Sequence, residues 1–302
     1  MNNLTILVSV SSGKDSTATL LLALKTNERV FSAFADTGNE HDMVYKYLTY
    51  LEKKLNIKIK RLKADFLYLW NKRKEYIKEK WPEKGVPDNI IKNALSVFEK
   101  GPTGNAFLDL CIIKGRFPSR MAQFCTSYLK TQLLRKYTNE LVEIYGNVES
   151  WQGVRAEESA IRAKLQERVT DGEIFTIVRP ILKWTAKQVF DFHEKEGIKP
   201  NPLYKLGMNR VGCMPCINVS KDELFRINQR FPKHIDRIKE WEKVVGMVSK
   251  SQHSTFFYHS DGKGSILDDI EWSKTVYGGK QYDLFKTQET PLSCESSYGL
   301  CE

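Results

Sequence analysis

The sequence lacks the apolar segments that membrane or exported proteins carry. No apolar stretch approaches the 18 residues expected of a membrane-spanning helix. The apolar run at residues 4–10 has neither a basic segment before it nor a small-residue cleavage site after it, so no signal peptide is expected. These absences predict a cytoplasmic protein without a membrane partner.

Histidine and cysteine are also scarce. The chain has five histidines and six cysteines in 302 residues, which is few for a disulfide scaffold. No two histidines stand at ligand spacing, so a metal site must draw on cysteines. Cys213 and Cys216 form a C-x-x-C pair that can chelate a metal ion or form a redox disulfide. Cys111, in an apolar stretch, is expected in the core.

Positive charge is abundant and unevenly distributed. The net charge is +10, and residues 53–80 hold eleven Lys/Arg against three acidic residues, a local net charge of +8. Such a segment is either a solvated helix face or a surface for a polyanion such as nucleic acid. Under the second interpretation, Trp70, Tyr76 and Trp81 supply rings for base stacking. Charge alone does not separate the two.

Short apolar strands alternate with helical segments at the start of the chain. The pattern predicts strands at 4–11, 29–38 and 57–65, and helices at 15–25 and 40–55. This alternation is typical of a parallel sheet with right-handed crossovers and helices on both faces. The predicted fold class is therefore α/β, a Rossmann-like parallel-sheet domain with a smaller C-terminal extension.

Beyond residue 65 the alternation stops. Residues 66–118 are basic and aromatic, and we expect an insertion or a lid there. The pattern then predicts a helix over 120–146, a strand over 173–181 and a helix over 185–197. Two domains are expected: residues 1–220 form the nucleotide-binding domain and residues 221–302 an extension with a cysteine-bearing tail.

The stretch SVSSGKDS, residues 9–16, joins the first strand to the first helix. It is not a Walker A loop, because Val8 occupies the position of the first glycine and Asp15 follows Lys14. A strand, a Ser/Gly turn and a helix place unpaired N–H groups and the positive end of the helix dipole together, which favours anions. Further donors come from Ser9, Ser11, Ser12, Ser16 and Lys14. We interpret the stretch as a nucleotide phosphate loop rather than an ordinary capped helix start.

The same stretch resembles the S-x-S-G-G-K-D-S pyrophosphate loop of the adenine nucleotide alpha hydrolase superfamily. Ser12 stands at the family's first glycine, which is tolerable if its φ is negative. Four further blocks resemble the phosphoadenosine phosphosulfate (PAPS) reductase family: FADTGNE (34–40), WQGVRAEESAIR (151–162), RPILKWTAKQVFDF (179–192) and NPLYKLGMNRVGCMPC (201–216). Five blocks in order across residues 4–220 make the resemblance specific.

The resemblance implies a loop that grips the pyrophosphate of ATP, or the equivalent part of a PAPS-like adenylyl nucleotide, with reaction at the α-phosphorus. Arg155 and Arg162 can each present a forked donor set to phosphate and stabilise charge on the leaving group. Pairing of Arg155 with Glu157 or Glu158 is the structural alternative. The implied nucleotide-binding residues are Ser9, Ser11, Ser12, Gly13, Lys14, Asp15, Ser16, Asp36, Thr37, Gly153, Arg155 and Arg162.

Lys14, Asp15 and Arg155 are the candidate catalytic residues in this loop. No general base is evident. Asp15 and Asp36 are equally good candidates for Mg²⁺ ligands, directly or through water, because Mg²⁺ takes oxygen donors and keeps waters.

The cysteines are the second part of the implied site. In iron–sulfur members of the family a Cys-Cys pair and a later C-x-x-C hold a [4Fe–4S] cluster; here Phe124 replaces the first cysteine, leaving Cys125, Cys213 and Cys216. A fourth ligand must come from Cys294, Cys301 or outside the protein. A zinc site with the same ligands, a metal-free thiol relay and inert buried cysteines remain alternatives.

The C-terminal tail resembles the cysteine-bearing tail of the family's reductases, in which a cysteine followed by Gly-Leu attacks sulfur. Here Gly299 and Leu300 precede Cys301, so the order is changed. Cys301 is a candidate nucleophile and Cys294 a candidate metal ligand. The sequence does not assign either role.

Three functions are therefore weighed. The first is an ATP pyrophosphatase and sulfurtransferase, with nucleic acid as the candidate acceptor and a cysteine desulfurase as sulfur donor; the basic segment 53–80 favours it. The second is a PAPS or adenylyl-sulfate reductase served by a thioredoxin-type donor. The third is a nucleotide-gated nucleic-acid-binding module without turnover.

Overall fold

The computed structural model describes residues 4–172, 174–259, 262–276 and 281–282, together with Tyr298 and Leu300. The strands of its main sheet are β1 Thr5–Ser9, β2 Arg29–Asp36, β3 Ile59–Lys63, β4 Val148–Gln152, β5 Arg168–Asp171 and β6 Phe175–Val178. A separate antiparallel pair comprises β7 Thr275–Val276 and β8 Gln281–Tyr282.

The helices follow the same chain order. They are α1 Lys14–Leu24, α2 Asp42–Leu55, α3 Leu67–Glu83, α4 Asp88–Glu99, α5 Ala106–Lys114, α6 Phe124–Thr126, α7 Gln132–Tyr145, α8 Ala160–Ala163, α9 Ala186–Lys195, α10 Lys221–Arg230, α11 Pro232–Met247 and α12 Ile266–Ser273. A π-helical turn, Ser127–Thr131, joins α6 to α7. None of the helices in the described part of the chain is long and apolar enough to cross a membrane.

The sheet has the order β3–β2–β1–β4–β6–β5, and all neighbours are parallel except β5 and β6. The apolar residues of β1 alternate between two cores. Ile6 and Val8 join the core that includes α2, whereas Leu7 joins Tyr137 and Leu141 of α7 on the other face. Because helices cover both faces, β1 carries three consecutive buried apolar residues, Ile6 to Val8, as is typical of a central parallel strand. The predicted α/β class is confirmed.

The connectivity reverses at β1. The chain runs from β1 outward to β2 and β3, then returns to place β4 on the other side of β1. Ligands of such sheets bind beyond the carboxyl ends of the strands at this reversal. The loop 9–16 lies there, since it follows β1 directly.

Several elements differ from the sequence predictions. Residues 66–118 contain only helices, α3 to α5, and the helix predicted from residue 120 begins at Phe124. The antiparallel strand β5 and the helices α10 to α12 were not predicted. Trp70 and Trp81 are 1% and 0% exposed. The prediction that these two rings are available for stacking is therefore wrong.

Candidate functional site

The phosphate loop is held by residues distant in the sequence. The backbone N–H of Lys14 donates to the Tyr204 hydroxyl at 2.9 Å, and His193 Nε2 lies 2.8 Å from the carbonyl oxygen of Lys14. Asn201 Nδ2 donates to the carbonyl of Ser12 at 3.4 Å. Burial lowers the pKa of His193, so its neutral ring donates to that carbonyl. These contacts fix the loop before any ligand arrives.

Ser12 adopts a conformation that favours glycine. Its φ is +64°, its side chain is fully buried, and its Oγ has no hydrogen-bond partner among the described residues. The condition under which a serine is tolerable at this position, a negative φ, is therefore not met. A left-handed residue other than glycine costs about 1–2 kcal/mol, so the loop carries strain at the position where the family has glycine.

The other loop serines stabilise the turn. The backbone N–H of Ser11 donates to Ser16 Oγ at 3.0 Å, and Ser16 Oγ donates to the Gly13 carbonyl at 3.1 Å. Ser9 is the last residue of β1, paired with Ala33 and Gln152 in the sheet. The predicted loop residues thus lie together at the N-terminus of α1.

Asp15 is the centre of an ion-pair network. Its Oδ2 lies 3.2 Å from Lys14 Nζ, and its Oδ1 accepts a hydrogen bond from Arg155 Nε. Arg155 is 3% exposed and also donates to Glu157. The structural alternative weighed for Arg155 is therefore present, alongside a direct link to the loop.

Arg162 and Arg210 extend the positive charge of the network. Arg162 pairs with Glu158, and its pKa is lowered first by burial and then by repulsion from Arg210. Arg210 also acts on Lys130 in the cysteine pocket described below. One exposed arginine thus lies within electrostatic range of both parts of the site.

Gly153 allows β4 and the loop to meet. A Cβ at this position would lie 2.6 Å from the Asp15 carbonyl carbon and 2.6 Å from the Ser16 nitrogen, both backbone atoms. No other residue fits without moving the start of α1. Gly153 therefore belongs to the site through its lack of a side chain.

The turn after β2 supplies a buried carboxylate. Glu40 Oε1 accepts from Thr37 Oγ1 at 2.7 Å, and Asp36 Oδ1 accepts from Tyr45 Oη at 2.8 Å. Burial raises the pKa of Glu40, which is 5% exposed. Asp36 and Thr37 thus lie together as predicted, and Glu40 adds a proton-holding group beside them.

Cys125, Cys213 and Cys216 line one cavity of about 60 Å³. Cys213 Sγ lies 3.5 Å from Thr37 Oγ1 and donates to Glu40 Oε1 at 3.7 Å. Burial raises the pKa of the Cys213 thiol to about 12. The remaining lining residues are Thr37, Asn39, Phe107, Gln123, Thr126, Lys130, Arg210, Pro215, Ile217 and Asn218.

Lys130 and Arg210 are the cations that line this pocket, and Lys130 acts on the Cys213 thiol. Lys130 lies on the π-helical turn, and its pKa is raised first by Cys213 and less strongly by Glu40, against the effect of burial. The same lysine opposes the effect of burial on the pKa of Cys213. The pocket therefore favours an ammonium beside a thiol and can stabilise negative charge on that sulfur.

The three described cysteines of the pocket are the side chains that the predicted metal site would use. Within the described ranges, no three His, Cys, Asp or Glu side chains are close enough to hold one metal ion. Cys294 and Cys301 lie outside the described residues. The described thiols alone therefore do not form a cluster or zinc site, and no chemical step is assigned to a metal.

Arg237, on α11, fastens the cysteine loop to the turn after β2. Its Nη2 donates to Asn39 Oδ1 at 2.8 Å and to the Met214 carbonyl at 3.0 Å. Asn39 Nδ2 donates in turn to the Pro215 carbonyl at 3.0 Å. A helix of the C-terminal extension thus contacts the loop that carries Cys213.

Tyr298, close to the C-terminus, contacts the phosphate loop through Lys14. Lys14 Nζ lies 4.8 Å from the centre of the Tyr298 ring and 5.4 Å from that of Tyr204. The Tyr298 hydroxyl donates to the Asn209 carbonyl at 3.0 Å. The Tyr298 ring therefore lies beside the nucleotide loop.

Sequence reasoning missed several residues of this site. The missed residues are Asn39, Glu40, Lys130, His193, Asn201, Tyr204, Arg210 and Arg237. Asn39, Glu40, Asn201, Tyr204 and Arg210 lie inside blocks that resemble the family, so the blocks themselves were the available signal. Lys130 and Arg237 had none.

Comparison with known proteins gives a family and several relatives. Residues 5–219 match the phosphoadenosine phosphosulfate reductase domain family. An uncharacterised 37.8 kDa protein of Escherichia phage 186 is 41% identical over 98% of this chain and 96% of its own length. An uncharacterised protein of Methanocaldococcus jannaschii is 28% identical over 80% of this chain, a match that spans 41% of that protein.

Two solved structures have a similar fold. Phosphoadenylyl-sulfate reductase from Candida auris aligns over 70% of this chain and 82% of its own, with 14% identity and a TM-score of 0.44. Candida glabrata FMN adenylyltransferase aligns over 71% and 56%, with 11% identity and a TM-score of 0.40.

Proposed function

Since the chain belongs to the phosphoadenosine phosphosulfate reductase domain family, a family of PP-loop nucleotide-binding enzymes, we propose that it acts at the α-phosphorus of ATP. The observation that supports this most is the network in which Lys14 and Arg155 both pair with Asp15 at the N-terminus of α1. Two cations at the N-terminus of a helix suit a pyrophosphate leaving group.

The reaction follows from that arrangement. An acceptor oxygen attacks the α-phosphorus, the bond to the bridging oxygen breaks, and pyrophosphate leaves with its charge on Lys14, Arg155 and Arg162. When phosphate binds, Lys14 and Arg155 exchange Asp15 for phosphate oxygens. The Asp15 carboxylate would then be able to hold Mg²⁺, which prefers oxygen ligands and would add positive charge beside the phosphates.

Sulfur is proposed to enter from the cysteine pocket. A persulfide supplied by a cysteine desulfurase transfers its outer sulfur to Cys213, and the desulfurase leaves with its thiol. The outer sulfur then displaces AMP from the adenylylated acceptor, which leaves the acceptor joined to Cys213 through a disulfide. Cys216, which lines the same cavity, attacks Cys213 in that disulfide, the acceptor leaves as a thiol, and a thioredoxin-type dithiol reduces the resulting Cys213–Cys216 disulfide. Lys130 stabilises the negative sulfur and Glu40 holds the proton that the thiol gives up. Nucleic acid is the proposed acceptor.

A reductase is the second candidate, and Tyr298 is the observation that favours it. Cys301 stands three residues after Tyr298, a reach of about 10 Å in extended chain, and Tyr298 contacts Lys14. Cys301 would attack the sulfur of an adenylyl sulfate bound in the loop, which forms a cysteine S-sulfonate and releases AMP. A thioredoxin-type dithiol would then release sulfite, become a disulfide and restore the Cys301 thiol.

Calorimetry with ATP and with adenylyl sulfate tests the proposal. We expect wild type to bind ATP, Lys14→Ala to lose at least tenfold in affinity, and Lys25→Ala, at the far end of α1, to bind as wild type. Unchanged binding by Lys14→Ala would contradict the role of the loop. Binding of adenylyl sulfate without ATP would favour the reductase.

A metal analysis separates the cysteine alternatives. Binding of a [4Fe–4S] cluster or of zinc by Cys125, Cys213, Cys216 and Cys294 is the alternative to this thiol chemistry, because a Cys213 that binds metal does not carry the transferred sulfur. Iron and acid-labile sulfide near four per chain after anaerobic purification would support the cluster, and zinc without iron would support the structural site. If neither metal is found, thiol chemistry is the remaining alternative for these cysteines.

A further inference from the structure

Three cations, two from α3 and its C-terminal cap and one from the turn after α11, lie around the rings of Tyr76 and Trp81. Arg73 lies with its guanidinium 5.1 Å from the centre of the Tyr76 ring and 5.8 Å from that of Trp81. Lys84 Nζ donates to the Tyr76 hydroxyl at 2.7 Å. Lys250, from the turn after α11, lies 5.8 Å from the Trp81 ring. We name Arg73, Tyr76, Lys84 and Lys250 the α3 cation cluster.

This cluster has no carboxylate of its own. None of its three cations forms an ion pair within the described residues, and the nearby Glu83 pairs with Lys80 instead. Arg73 is partly buried, and burial lowers its pKa; its Nε is buried without a hydrogen-bond partner in the described chain. Holding like charges together without a counter-ion costs free energy. The arrangement is therefore expected where an anion binds.

The sequence around the cluster extends it into a row. Residues four apart form one ridge of a helix, and on α3 and its C-terminal end this ridge reads Tyr68, Lys72, Tyr76, Lys80, Lys84. Sixteen residues of helix span about 24 Å, so the ridge alternates aromatic and basic groups over several phosphate spacings. Tyr68 is 75% exposed, and Lys72 is exposed without an ion pair among the described residues.

We propose that this ridge is a docking surface for single-stranded nucleic acid. The α3 cation cluster binds backbone phosphate, the Tyr76 hydroxyl is free to donate to it, and Tyr68 stacks on an unpaired base. Cations that track a backbone and rings that stack on bases are the two requirements of single-strand binding. A single free phosphate would need only the cluster and leaves the rest of the ridge unexplained.

The inference rests on the proposed function only for the role of the bound strand as acceptor. Binding itself needs neither ATP nor the cysteines. Lys14→Ala is therefore expected to bind nucleic acid as wild type does, and failure of the nucleotide chemistry leaves this surface unaffected.

The test is fluorescence anisotropy with a labelled 20-nucleotide single strand and the matching duplex, between 50 and 200 mM salt. We expect wild type to prefer the single strand. The triple variant Arg73→Gln, Lys84→Gln, Lys250→Gln should bind at least tenfold more weakly, with the slope of log affinity against log salt reduced by about 2. Tyr68→Ala, at an exposed position, should lose about tenfold. Lys84→Gln alone serves if the triple variant does not fold.

A charge-matched control removes three lysines elsewhere: Lys136, Lys187 and Lys195, each to Gln. We expect it to keep most of the affinity. Equal losses in the two triple variants would overturn the proposal, since net charge alone would then explain binding. The proposal would also be overturned if wild type does not bind the single strand at 50 mM salt, or if it binds the duplex with equal affinity. It would be overturned as well if 10 mM inorganic phosphate displaces the strand equally from wild type and from the cluster variant.

Discussion

The Tyr204 hydroxyl accepts the backbone N–H of Lys14 at 2.9 Å, which joins two residues 190 positions apart. His193 holds the carbonyl of the same residue. The peptide units on both sides of Lys14 are therefore fixed from outside the loop. A phosphate loop held in this way does not have to be ordered by its nucleotide.

Tyr204→Phe tests this clamp. The variant leaves the buried N–H of Lys14 without an acceptor, which we expect to lower the free energy of unfolding by about 1–2 kcal/mol. Tyr50→Phe is the matched control, because its hydroxyl accepts the Lys199 N–H at an exposed site. Urea denaturation measures both. A loss at Tyr204 no larger than at Tyr50 would contradict the clamp.

Ser12→Gly is expected to stabilise the protein by about 0.5–1 kcal/mol. Glycine accepts the positive φ without the steric cost, and the substitution removes a buried hydroxyl without a partner, although glycine adds entropy to the unfolded chain. Ser12→Ala removes the hydroxyl and keeps the Cβ, so it should gain less. If alanine gains as much as glycine, the backbone strain is not the cause.

Arg155→Gln is expected to weaken ATP binding at least tenfold and to destabilise the fold by about 2 kcal/mol. The variant leaves the buried Asp15 with one cation, and removing one partner of a buried ion pair is costly. Glu157→Gln removes the exposed partner of the same arginine, where pairs contribute at most about 1 kcal/mol. Comparable effects of the two variants on ATP affinity would refute a nucleotide role for Arg155.

Gly153→Ala should destabilise the protein by about 1–3 kcal/mol, because the new methyl group meets backbone atoms that cannot turn away. We also expect it to displace the start of α1 and reduce nucleotide affinity. Gly246→Ala on α11 is the control, since a Cβ there meets neighbours at 3.4 Å or more. Thermal unfolding and calorimetry measure both variants, and equal melting temperatures would show that the approach at Gly153 is relaxed.

Local pattern predicted the first elements well. The sequence placed the first two strands and helices within about two residues of their observed ends, because each is bounded by a turn and carries its own periodicity. It missed α10, a polar helix that buries a narrow stripe around Leu224 and Ile227. It also missed β5, which is defined by its antiparallel pairing with β6 rather than by its own apolar content.

The residues of the site fall into the same two groups, those that local sequence predicts and those that depend on tertiary packing. The loop residues and Arg155 follow from a contiguous motif and its resemblance to a family. The positive φ of Ser12 and the contacts of Lys130 and Arg237 depend on tertiary packing, which spacing in the sequence does not encode. The prediction that Trp70 and Trp81 are available for stacking is wrong because the charge of a segment does not show which of its aromatic rings face the core.

Arg237 lies beyond the residues that match the family, yet it contacts the loop that carries Cys213. The family match ends at residue 219, yet the guanidinium that joins Asn39 to the cysteine loop comes from α11 and packs 4.9 Å from the Trp241 ring. A fragment cut at residue 219 would lose that cation and uncover the core side chains that meet α11. Amide protons of the cysteine loop should accordingly exchange together with those of α11, as one opening unit that crosses the family boundary.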